Sequence, residues 1–509
     1  MSYRSRSHTS ANSRGHLTIG GCDTVALAKR FGTPLYVIDE DAVRHACRSY
    51  VEEFGARYPD VRVIYAGKAL MVKAVALLVM EEGLSLDVCS GGELYTAISA
   101  GCPTDRIYFH GNSKTTAEIA FALSVGVFRF IADSLDELYL IDKLARSKGL
   151  VANVMLRLTP GIEAHTHDYV KTGQIDSKFG IVIPNGDAMH AVGIAKGLAN
   201  VRLTGLHCHI GSQVFEMEPF VDAVDIMMDF ARQAHDATGF IMEELDIGGG
   251  LGIRYNSKDD PIEVRDLAEA VAPALIDAAS RHGLPLPSLL LEPGRSIVGE
   301  AGTTLYTVNA VKRIDGVRTY VSVDGGMADN PRVALYQAEY AAALANRMAV
   351  AGQESQAGQA SEAGQVSQAG QASEAGQASE AGQVSEAGQV SEAGQASPET
   401  WETVSVAGNC CESGDMLVWD VAMPRPEVGD TLAVFCTGAY NYSMASNYNR
   451  YPRPAVVLVL DGRADVIVER ETYADIAARD LVPVRLRPSA ALPEGAGSSR
   501  HDSAGAQSR

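Results

Sequence analysis

The chain has 509 residues, of which 46 % are apolar, and its formal net charge is −20. This length exceeds one ordinary compact domain, so we expect two domains with a substantial buried core. The negative charge argues against a nucleic-acid-binding protein, which would present a clustered basic surface, and no segment approaches the ~20 consecutive apolar residues of a membrane-spanning helix.

The eight cysteines are distributed too sparsely for a disulfide framework, and no Cys-x-x-Cys pair indicates a metal site. The N-terminus is basic and rich in serine, and it lacks the apolar stretch of a secretory signal. We therefore predict a cytoplasmic protein that holds no metal ion and acts on a small molecule rather than on nucleic acid or a membrane.

The first 39 residues divide into two parts. Residues 1–16 are polar and show no periodicity, which predicts a disordered tail. Residues 17–39 contain the apolar segments LTIGG and PLYVID. We expect them to contribute a strand or a helix to a second domain.

Residues 40–300 alternate short runs rich in valine, isoleucine and leucine with longer amphipathic stretches, such as 115–126 and 134–149. The eight strand-like runs are VRVIYAGK (61–68), LSLDVCS (84–90), RIYFHGN (106–112), VFRFIADS (127–134), VANVMLRLTP (151–160), VRLTGLHCHIGS (201–212), ELDIGGG (244–250) and SLLLEPGRS (288–296). Strands and helices that alternate eight times over about 250 residues predict a (β/α)8 barrel of the TIM type.

Each of these runs ends in polar residues or glycine. The residues at the ends are Lys68, Asp87 with Ser90, His110 with Asn112, Asp133, Arg157, His209, Gly248 to Gly250, and Glu292 with Arg295. Active sites of such barrels lie at the carboxyl ends of the strands, so we expect these residues to converge on a catalytic mouth. Asp133 and Ser134 are exceptions, because we expect both to cap the next helix.

Beyond residue 300 the pattern changes to short alternating strands with turn signals, as in TTLYTVNAVKRI and PAVVLVLDG. It predicts a C-terminal all-β domain, a sandwich or barrel, built from residues 301–350 and 399–487. Between these two parts, residues 351–398 form eight hexads of the type AGQASE. A glycine weakens a helix by roughly 1 kcal/mol, so we predict a flexible surface insertion, with a helical rod as the alternative. Residues 488–509 are predicted to be a disordered tail.

Lys68 is the first candidate for chemistry. It follows an apolar strand, where burial would lower the pKa of its amine and favour a covalent bond to a carbonyl cofactor. The alternative is an ordinary lysine whose amine reaches from the strand end into water.

Five further features are compatible with a phosphorylated, ring-shaped cofactor. The Gly248–Gly250 turn lets the backbone approach an anion, although a simple tight turn explains it equally well, and Ser212 offers a hydroxyl to the same anion. His209 is suited to stack on a flat ring or, alternatively, to fill the core. Glu292 is suited to bind a pyridine nitrogen and keep it protonated, and Arg295 to bind a carboxylate; a plain Glu–Arg ion pair is the alternative.

Nine segments occur together in a characteristic order: YAGKA, SGGEL, HGNSK, HCHIGSQ, DIGGGLGI, EPGRSIV, DNPRVALY, CESGD and TGAYNYSMASNYN. In this order they resemble the alanine-racemase-fold decarboxylases that use pyridoxal phosphate, and are most similar to the diaminopimelate decarboxylases. The resemblance covers about 20–350 and 400–485. It implies a carboxy-lyase that converts meso-2,6-diaminopimelate to L-lysine and carbon dioxide, the last step of lysine biosynthesis.

The resemblance also implies a role for each cofactor residue. Lys68 is implied to bond covalently to pyridoxal phosphate, His209 to stack on its ring, and Glu292 to pair with its nitrogen. Tyr440 is implied to contact the cofactor as well as the substrate. The phosphate is implied to be held by Ser212, Gly248, Gly249, Gly250 and the backbone of Pro293, Gly294 and Arg295.

For the substrate, the resemblance implies that the distal carboxylate is bound by Arg295, Arg332 and Tyr336. Glu412 is implied to pair with the distal ammonium group, and Cys411 to return a proton to Cα once carbon dioxide has left. In the family these last two residues come from the neighbouring subunit, so a homodimer with shared active sites is implied.

Alternative functions differ in what they require. Ornithine, arginine and carboxynorspermidine decarboxylases are the nearest alternatives, but a substrate with both charges at its far end needs partners of both signs, which Arg332 and Glu412 offer. A catalytically dead regulator would be expected to lose Lys68 or Cys411, and CESGD argues against an alanine racemase. Two details depart from the family pattern, namely Ser113 in place of the usual asparagine and Cys410 directly before Cys411.

Overall fold

The computed structural model describes residues 9–162, 176–348 and 400–486. These residues form a closed parallel barrel surrounded by helices, together with a second, mostly antiparallel sheet. The predicted (β/α)8 barrel with a C-terminal all-β domain is confirmed. The predictions for the hexads in 351–398 and for the tail in 488–509 concern residues outside the described ranges.

The N-terminal segment is ordered earlier than predicted. Its elements are β1 Thr9–Ala11, β2 Leu17–Ile19, β3 Cys22–Asp23, α1 Thr24–Phe31 and β4 Leu35–Asp39. The prediction of a disordered tail over residues 1–16 is therefore wrong for residues 9–16, because β1 pairs with β2. The carboxylate of Asp23 also accepts hydrogen bonds from Asn12, Arg14 and His16, which hold the polar segment down.

The barrel begins with α2 Glu40–Gly55 and contains strands and helices in alternation. They are β5 Val61–Ala66, α3 Lys73–Glu81, β6 Ser85–Val88, α4 Gly91–Ala100, β7 Ile107–Phe109, α5 Thr116–Val125, β8 Arg129–Ala132, α6 Leu135–Ser147, β9 Ala152–Thr159, β10 Ile181–Val182, α7 Asp187–Gly197, β11 Val201–His207, α8 Glu218–Thr238, β12 Glu244–Asp246, α9 Val264–His282, β13 Ser288–Leu291 and α10 Arg295–Val298.

The barrel closes because β13 pairs in parallel with β5, while β8 pairs with β9 and β9 with β11. The short β10 pairs with β9 outside this ring. One layer of the interior is filled by apolar side chains from five strands, namely Ile64, Tyr108, Ile131, Met155 and Leu290. The barrel is therefore a packed core and not a channel, which leaves its carboxyl end as the place for chemistry.

Local sequence explains how the helices begin. Thr115 and Glu118 form a capping box at the start of α5, and Gly126 ends that helix in the left-handed conformation. Ser134 caps α6, as predicted, by accepting the N–H of Glu137. The prediction that Asp133 also serves as a cap is wrong: its carboxylate accepts the N–H of Gly180, which comes from a segment that is distant in sequence.

The amino-terminal end of the barrel contains a buried ion pair. Arg129 and Glu244 are 6 % and 3 % exposed, and their side chains form two hydrogen bonds of 2.7 Å and 3.0 Å. Arg62 and Thr204 also donate to Glu244, at 3.1 Å and 3.2 Å. Glu244 therefore joins three strands through one carboxylate.

We expect Glu244→Ala to lower the free energy of unfolding by about 3–5 kcal/mol, because it leaves the Arg129 charge buried without its partner. Urea denaturation of the full chain measures this change. The matched control is Asp236→Asn, which removes an exposed pair with Arg232 on α8 and should leave the urea midpoint unchanged. Equal midpoints for all three proteins would contradict the structural role of Glu244.

The second domain contains the remaining elements. They are β14 Gly302–Ile314, β15 Arg318–Val323, α11 Arg332–Tyr336, β16 Ala342–Leu344, β17 Trp401–Ala407, β18 Met416–Pro424, β19 Thr431–Phe435, β20 Ala455–Leu460, β21 Arg463–Val468 and α12 Tyr473–Ala477. The strand order is β18-β17-β15-β14-β4-β20-β21, and β19 pairs with β14 and β16. The N-terminal β4 therefore lies in the middle of the C-terminal sheet.

The two domains meet at the carboxyl end of β5. The N–H of Tyr440 donates to the carbonyl oxygen of Ala69 at 2.8 Å, and the hydroxyl of Ser443 donates to the same oxygen at 2.8 Å. Ala69 directly follows Lys68, so the second domain covers one side of the barrel mouth. No helix of the described ranges is long and apolar enough to cross a membrane.

Candidate active site

The inward-facing positions at the carboxyl ends of the barrel strands carry charged or polar side chains, because alternate residues of a strand face the same side. The eight residues, one from each strand, are Lys68, Asp87, His110, Asp133, Arg157, His207, Asp246 and Glu292. Several of them lie close enough to alter one another's ionisation. We call this set the mouth; it is the convergence that the strand ends predict.

Glu292 is the central acid of the mouth and is 8 % exposed. His110 Nε2 lies 2.7 Å from its Oε1, and His207 Nε2 lies 3.2 Å from its Oε2. Burial by itself would raise the pKa of Glu292, but its contacts with the two imidazoles, His110 first, outweigh burial and hold that pKa well below its usual range. Glu292 is therefore an anion.

The pKa values of three neighbours of Glu292 shift in the direction that favours their neutral forms. Burial raises the pKa of Asp246 well above its ordinary value, and the Glu292 carboxylate raises it further. Burial likewise raises the pKa of Asp87, with Glu292 again contributing. Burial lowers the pKa of His207 to about 4, so this imidazole is neutral at pH 7. The mouth thus favours a negative charge on Glu292 over one on Asp87 or Asp246.

Lys68 lies in a single 3-10 turn after β5, with its side chain accessible from the mouth. Burial acts to lower the pKa of its amine, but interactions with the acidic side chains around it, Tyr440 first, outweigh burial and raise that pKa above the ordinary value. The expectation of a lowered pKa is therefore wrong in this structure. Acidic groups from other strands surround the amine, and the Lys68 strand alone does not contain them.

The Gly248–Gly250 turn contacts two neighbouring loops through its backbone. A Cβ on Gly249 would lie 2.0 Å from the carbonyl oxygen of Glu292, and one on Gly250 would lie 2.3 Å from that of Gly211. Side chains are excluded from both positions. Close backbone packing thus explains these glycines, and the same packing gives the mouth a floor without side chains that is suited to an anion.

His209 lies against this turn, because a Cβ on Gly248 would be 2.6 Å from His209 Nδ1. Burial lowers the pKa of His209 well below its usual value, and the charges of Lys68 and Arg157 lower it further. The imidazole is therefore neutral at pH 7 and presents a flat, uncharged ring beside Lys68.

Arg295 is 5 % exposed and begins α10. Its Nη2 donates to Ser212 Oγ at 2.8 Å, and its Nη1 donates to the hydroxyl of Tyr255 at 2.5 Å. Its guanidinium carbon lies 4.9 Å from the ring centre of Tyr440. No ion pair joins Arg295 to Glu292 in the described ranges, so the alternative of a plain Glu–Arg pair is not what the structure contains.

Arg332 is 7 % exposed and begins α11. Its guanidinium carbon lies 5.7, 5.6 and 5.5 Å from the ring centres of Tyr255, Tyr336 and Tyr440. Tyr255 and Tyr440 also contact Arg295. The two arginines and three tyrosines therefore form one cationic cluster, which Tyr440 connects to Lys68 and which we call the arginine pocket.

Cys411 and Glu412 lie apart from this pocket, on the loop between β17 and β18, and both are exposed. Over residues 9–162, 176–348 and 400–486, neither side chain has a hydrogen bond or ion pair with a residue of the mouth. The structure therefore brings together the predicted residues of the barrel, α11 and Tyr440, but not these two.

The loop that carries Cys411 is held in place from two sides. The buried carboxylate of Asp415 accepts the N–H of Cys410 at 2.7 Å and that of Met327 at 2.5 Å. Asn449 Oδ1 accepts the N–H of Cys411 at 2.8 Å. Burial, with the charge of Asp415, raises the pKa of Cys410 to about 12, so Cys410 is a poor competitor for acid–base chemistry.

Sequence reasoning missed several residues of the site. Asp87 and His110 were noted only as strand ends, and His207, Asp246 and Tyr255 were not singled out. His207 and Asp246 lie two residues before the predicted strand ends His209 and Gly248. Counting back by two would have found both, because alternate residues of a strand share a face. Tyr255 lies in a loop, where no periodicity exists to indicate it.

The residues present fit pyridoxal phosphate. Lys68 offers an accessible amine, Glu292 an anionic oxygen for a ring nitrogen, and His209 a flat neutral ring. The buried Nε atoms of Arg295 and Arg332 have no hydrogen-bond partner among the described residues, and a guanidinium in that state is suited to a phosphate or carboxylate.

Comparisons with known proteins agree with this site. Residues 40–299 match the family described as "Pyridoxal-dependent decarboxylase, pyridoxal binding domain". The chain is 45 % identical to the diaminopimelate decarboxylase of Bacillus subtilis (strain 168), over 92 % of this chain and 96 % of that protein. It is 43 % identical to the diaminopimelate decarboxylase of Synechocystis sp. (strain ATCC 27184 / PCC 6803 / Kazusa), over 93 % and 92 %.

Among solved structures, the diaminopimelate decarboxylase of M. jannaschii in complex with L-lysine is similar with a TM-score of 0.80 and 34 % identity, over 94 % of this chain and 99 % of that one. A match of this extent includes both domains. With these relatives and with the site described above, the chain belongs to the diaminopimelate decarboxylase family of pyridoxal-dependent decarboxylases.

Proposed function

We propose that the protein removes carbon dioxide from meso-2,6-diaminopimelate to form L-lysine, with pyridoxal phosphate as cofactor. The observation that carries this proposal is the arginine pocket, where two buried guanidinium groups can receive the carboxylate at the far end of the substrate. Family membership at 45 % identity supports the same reaction. An activity assay on the purified protein tests it. We expect L-lysine from meso-2,6-diaminopimelate and no product from ornithine, arginine or carboxynorspermidine.

In the proposed mechanism, the barrel residues hold and orient the cofactor. Lys68 would bind it covalently, Glu292 would accept a hydrogen bond from its ring nitrogen, and His209 would hold its ring. Ser212, the glycine turn and the backbone of 293–295 would hold its phosphate. When bound, pyridoxal phosphate supplies the electron sink that accepts the electron pair left at Cα as carbon dioxide departs.

The far end of the substrate determines specificity in this proposal. Arg295, Arg332 and Tyr336 bind the distal carboxylate, and Tyr440 covers the space between this group and Lys68. Glu412 of the partner subunit binds the distal ammonium group. Each of the two distal groups needs a protein partner of the opposite charge, because a buried charge without a partner is costly. Substrates that end only in a cation leave the two arginines unpaired.

The proton that replaces carbon dioxide comes, in this proposal, from Cys411 of the partner subunit. Its thiol donates a proton to Cα, and the resulting thiolate takes up a proton from solvent. The exposure of Cys411 and Glu412 on an otherwise well-held loop supports this, because a homodimer would bury them over the neighbouring mouth. The active unit is thus a homodimer with two shared sites.

We also propose that the protein acts in the cytoplasm. All eight cysteines are present as free thiols, which is the usual state of cysteine in a reducing compartment.

Arg332→Gln tests the distal carboxylate site. We expect kcat/KM for meso-2,6-diaminopimelate to fall by roughly 30-fold or more, since removing one partner of a buried charge pair costs about 2–5 kcal/mol. L-Lysine keeps the distal carboxylate, so its inhibition should weaken in parallel. Steady-state kinetics measure both.

The control for this experiment is Arg265→Gln, which changes an exposed arginine on α9 and should have no effect. The affinity for pyridoxal phosphate should stay unchanged in Arg332→Gln. An Arg332→Gln enzyme with wild-type kcat/KM and wild-type inhibition by L-lysine would show that the arginine pocket does not bind this carboxylate.

A further inference from the structure

Two imidazoles contact the Glu292 carboxylate, and the closer of the two, His110, has been given no role so far. His110 Nε2 is 2.7 Å from Glu292 Oε1, whereas His207 Nε2 is 3.2 Å from Oε2. His110 is 4 % exposed and follows β7, on the side of the mouth that faces Asp87. Its imidazole meets that of His207 edge to face, with ring centres 5.1 Å apart.

This arrangement leaves room for a further donor. A carboxylate has about four acceptor positions on its two oxygens. His207 shares a hydrogen bond with Oε2, and the His110 imidazole lies against Oε1, which has no hydrogen-bond partner among the described residues. The carboxylate can therefore still accept an N–H from a ring nitrogen in the mouth, while the two imidazoles restrict its rotation.

We propose that His110 is a positioning residue, which holds the Glu292 carboxylate in one orientation and as an anion so that it keeps the ring nitrogen of pyridoxal phosphate protonated. This inference rests on the proposed function. His110 acts through Glu292 and does not itself touch the reacting atoms.

The surroundings of Glu292 make such support necessary. The titratable groups that face it are Lys68, Asp87, His110, His207, His209 and Asp246. The thiols of Cys89 and Cys208 are also near. Burial and the two aspartates disfavour an anion here, and His110 is the first among the groups that lower the pKa of Glu292.

Removing the His110 imidazole from Oε1 therefore has a defined consequence. Burial then raises the pKa of Glu292, and the single proton shared between its carboxyl group and the ring nitrogen moves to the carboxyl oxygen. A ring without its nitrogen proton is a weaker electron sink. The distal end of the substrate is bound elsewhere, so its binding should not change.

Two amide substitutions form a matched pair for the test. The amide nitrogen of Gln at position 110 can take the place of Nε2 beside Glu292 Oε1, whereas the shorter Asn places its amide near the position of Nδ1 and leaves Oε1 without this contact. The direct readout is the ¹⁵N chemical shift of the ring nitrogen in holoenzyme prepared with ¹⁵N-labelled cofactor. Steady-state kinetics over a range of pH give the second readout.

We expect a protonated ring nitrogen in wild type and in His110→Gln, and an unprotonated one in His110→Asn. We expect kcat of His110→Asn to fall about 10- to 100-fold, the range found when a group that orients a ligand of an active centre is removed. The KM for meso-2,6-diaminopimelate should stay within about twofold, because the lost interaction acts on the chemical step.

The proposal is overturned if His110→Asn keeps a protonated ring nitrogen, whatever its activity. It is also overturned if both variants lose kcat equally while the nitrogen stays protonated, since that is the result of a purely structural role. Failure of the proposed function would be visible separately, because the wild-type protein would then form no L-lysine. If His110→Asn does not fold, His110→Gln decides: an unprotonated ring nitrogen overturns the proposal and a protonated one supports it.

Discussion

The Lys68→Ala protein is expected to release carbon dioxide from meso-2,6-diaminopimelate at ~10⁻³ of the wild-type rate or less, since the amine that binds the cofactor covalently is gone. Lys68 is the accessible amine of the mouth at the end of β5, and the acidic side chains around it act on its pKa. Borohydride treatment should fix the cofactor to Lys68 in the wild-type protein, where mass spectrometry would detect it. The variant should carry no fixed cofactor.

The control for Lys68→Ala is Lys73→Ala, five residues further along the chain. Lys73 is exposed at the start of α3, so its loss should leave both the rate and the labelling of Lys68 intact. A Lys68→Ala protein that turns over at the wild-type rate would disprove the proposed mechanism as a whole, including the inference on His110.

Cys411→Ala should lower kcat by about 10²- to 10⁴-fold, which is the usual contribution of a general acid. Cys410→Ala is the matched control. Cys410 is buried, and burial raises the pKa of its thiol to about 12, so its removal should leave kcat near the wild-type value. Parallel rate measurements on the two alanine variants separate the adjacent thiols.

Mixing the two inactive variants tests whether the site is shared. In a dimer with one Lys68→Ala and one Cys411→Ala subunit, one site has lost both residues and the other has both. Random assembly should therefore restore about a quarter of the wild-type activity in co-expressed protein. No recovery above the separate variants would show that Cys411 serves the mouth of its own subunit.

The barrel could be predicted from the sequence because its signal is periodic and repeated. Eight apolar runs separated by amphipathic stretches leave few alternative folds, and each predicted strand is present within a few residues of its expected bounds. The end of the N-terminal tail could not be predicted in the same way. Its order depends on hydrogen bonds from Asn12, Arg14 and His16 to Asp23, which the composition of residues 1–16 does not indicate.

Within the site, predictions from a single strand failed where several strands act together. Burial at the end of an apolar strand predicts a lowered pKa for the Lys68 amine. In the structure, acids from other strands and Tyr440 from the second domain reverse the direction. Asp133 was expected to cap a helix, but it bonds to Gly180 instead. Both errors come from interactions between residues far apart in the chain.

The sequence by itself determined which residues end the barrel strands, the order of the motifs and thus the family, because strand periodicity and motif order are local properties of the chain. Only the tertiary structure decided how these residues act on one another. It surrounds Glu292 with two imidazoles, joins Arg295 and Arg332 through shared tyrosines, and leaves Cys411 exposed. The physical reason is that charge and hydrogen bonding depend on distances of 3 to 6 Å between strands, loops and domains, and a linear sequence does not contain those distances.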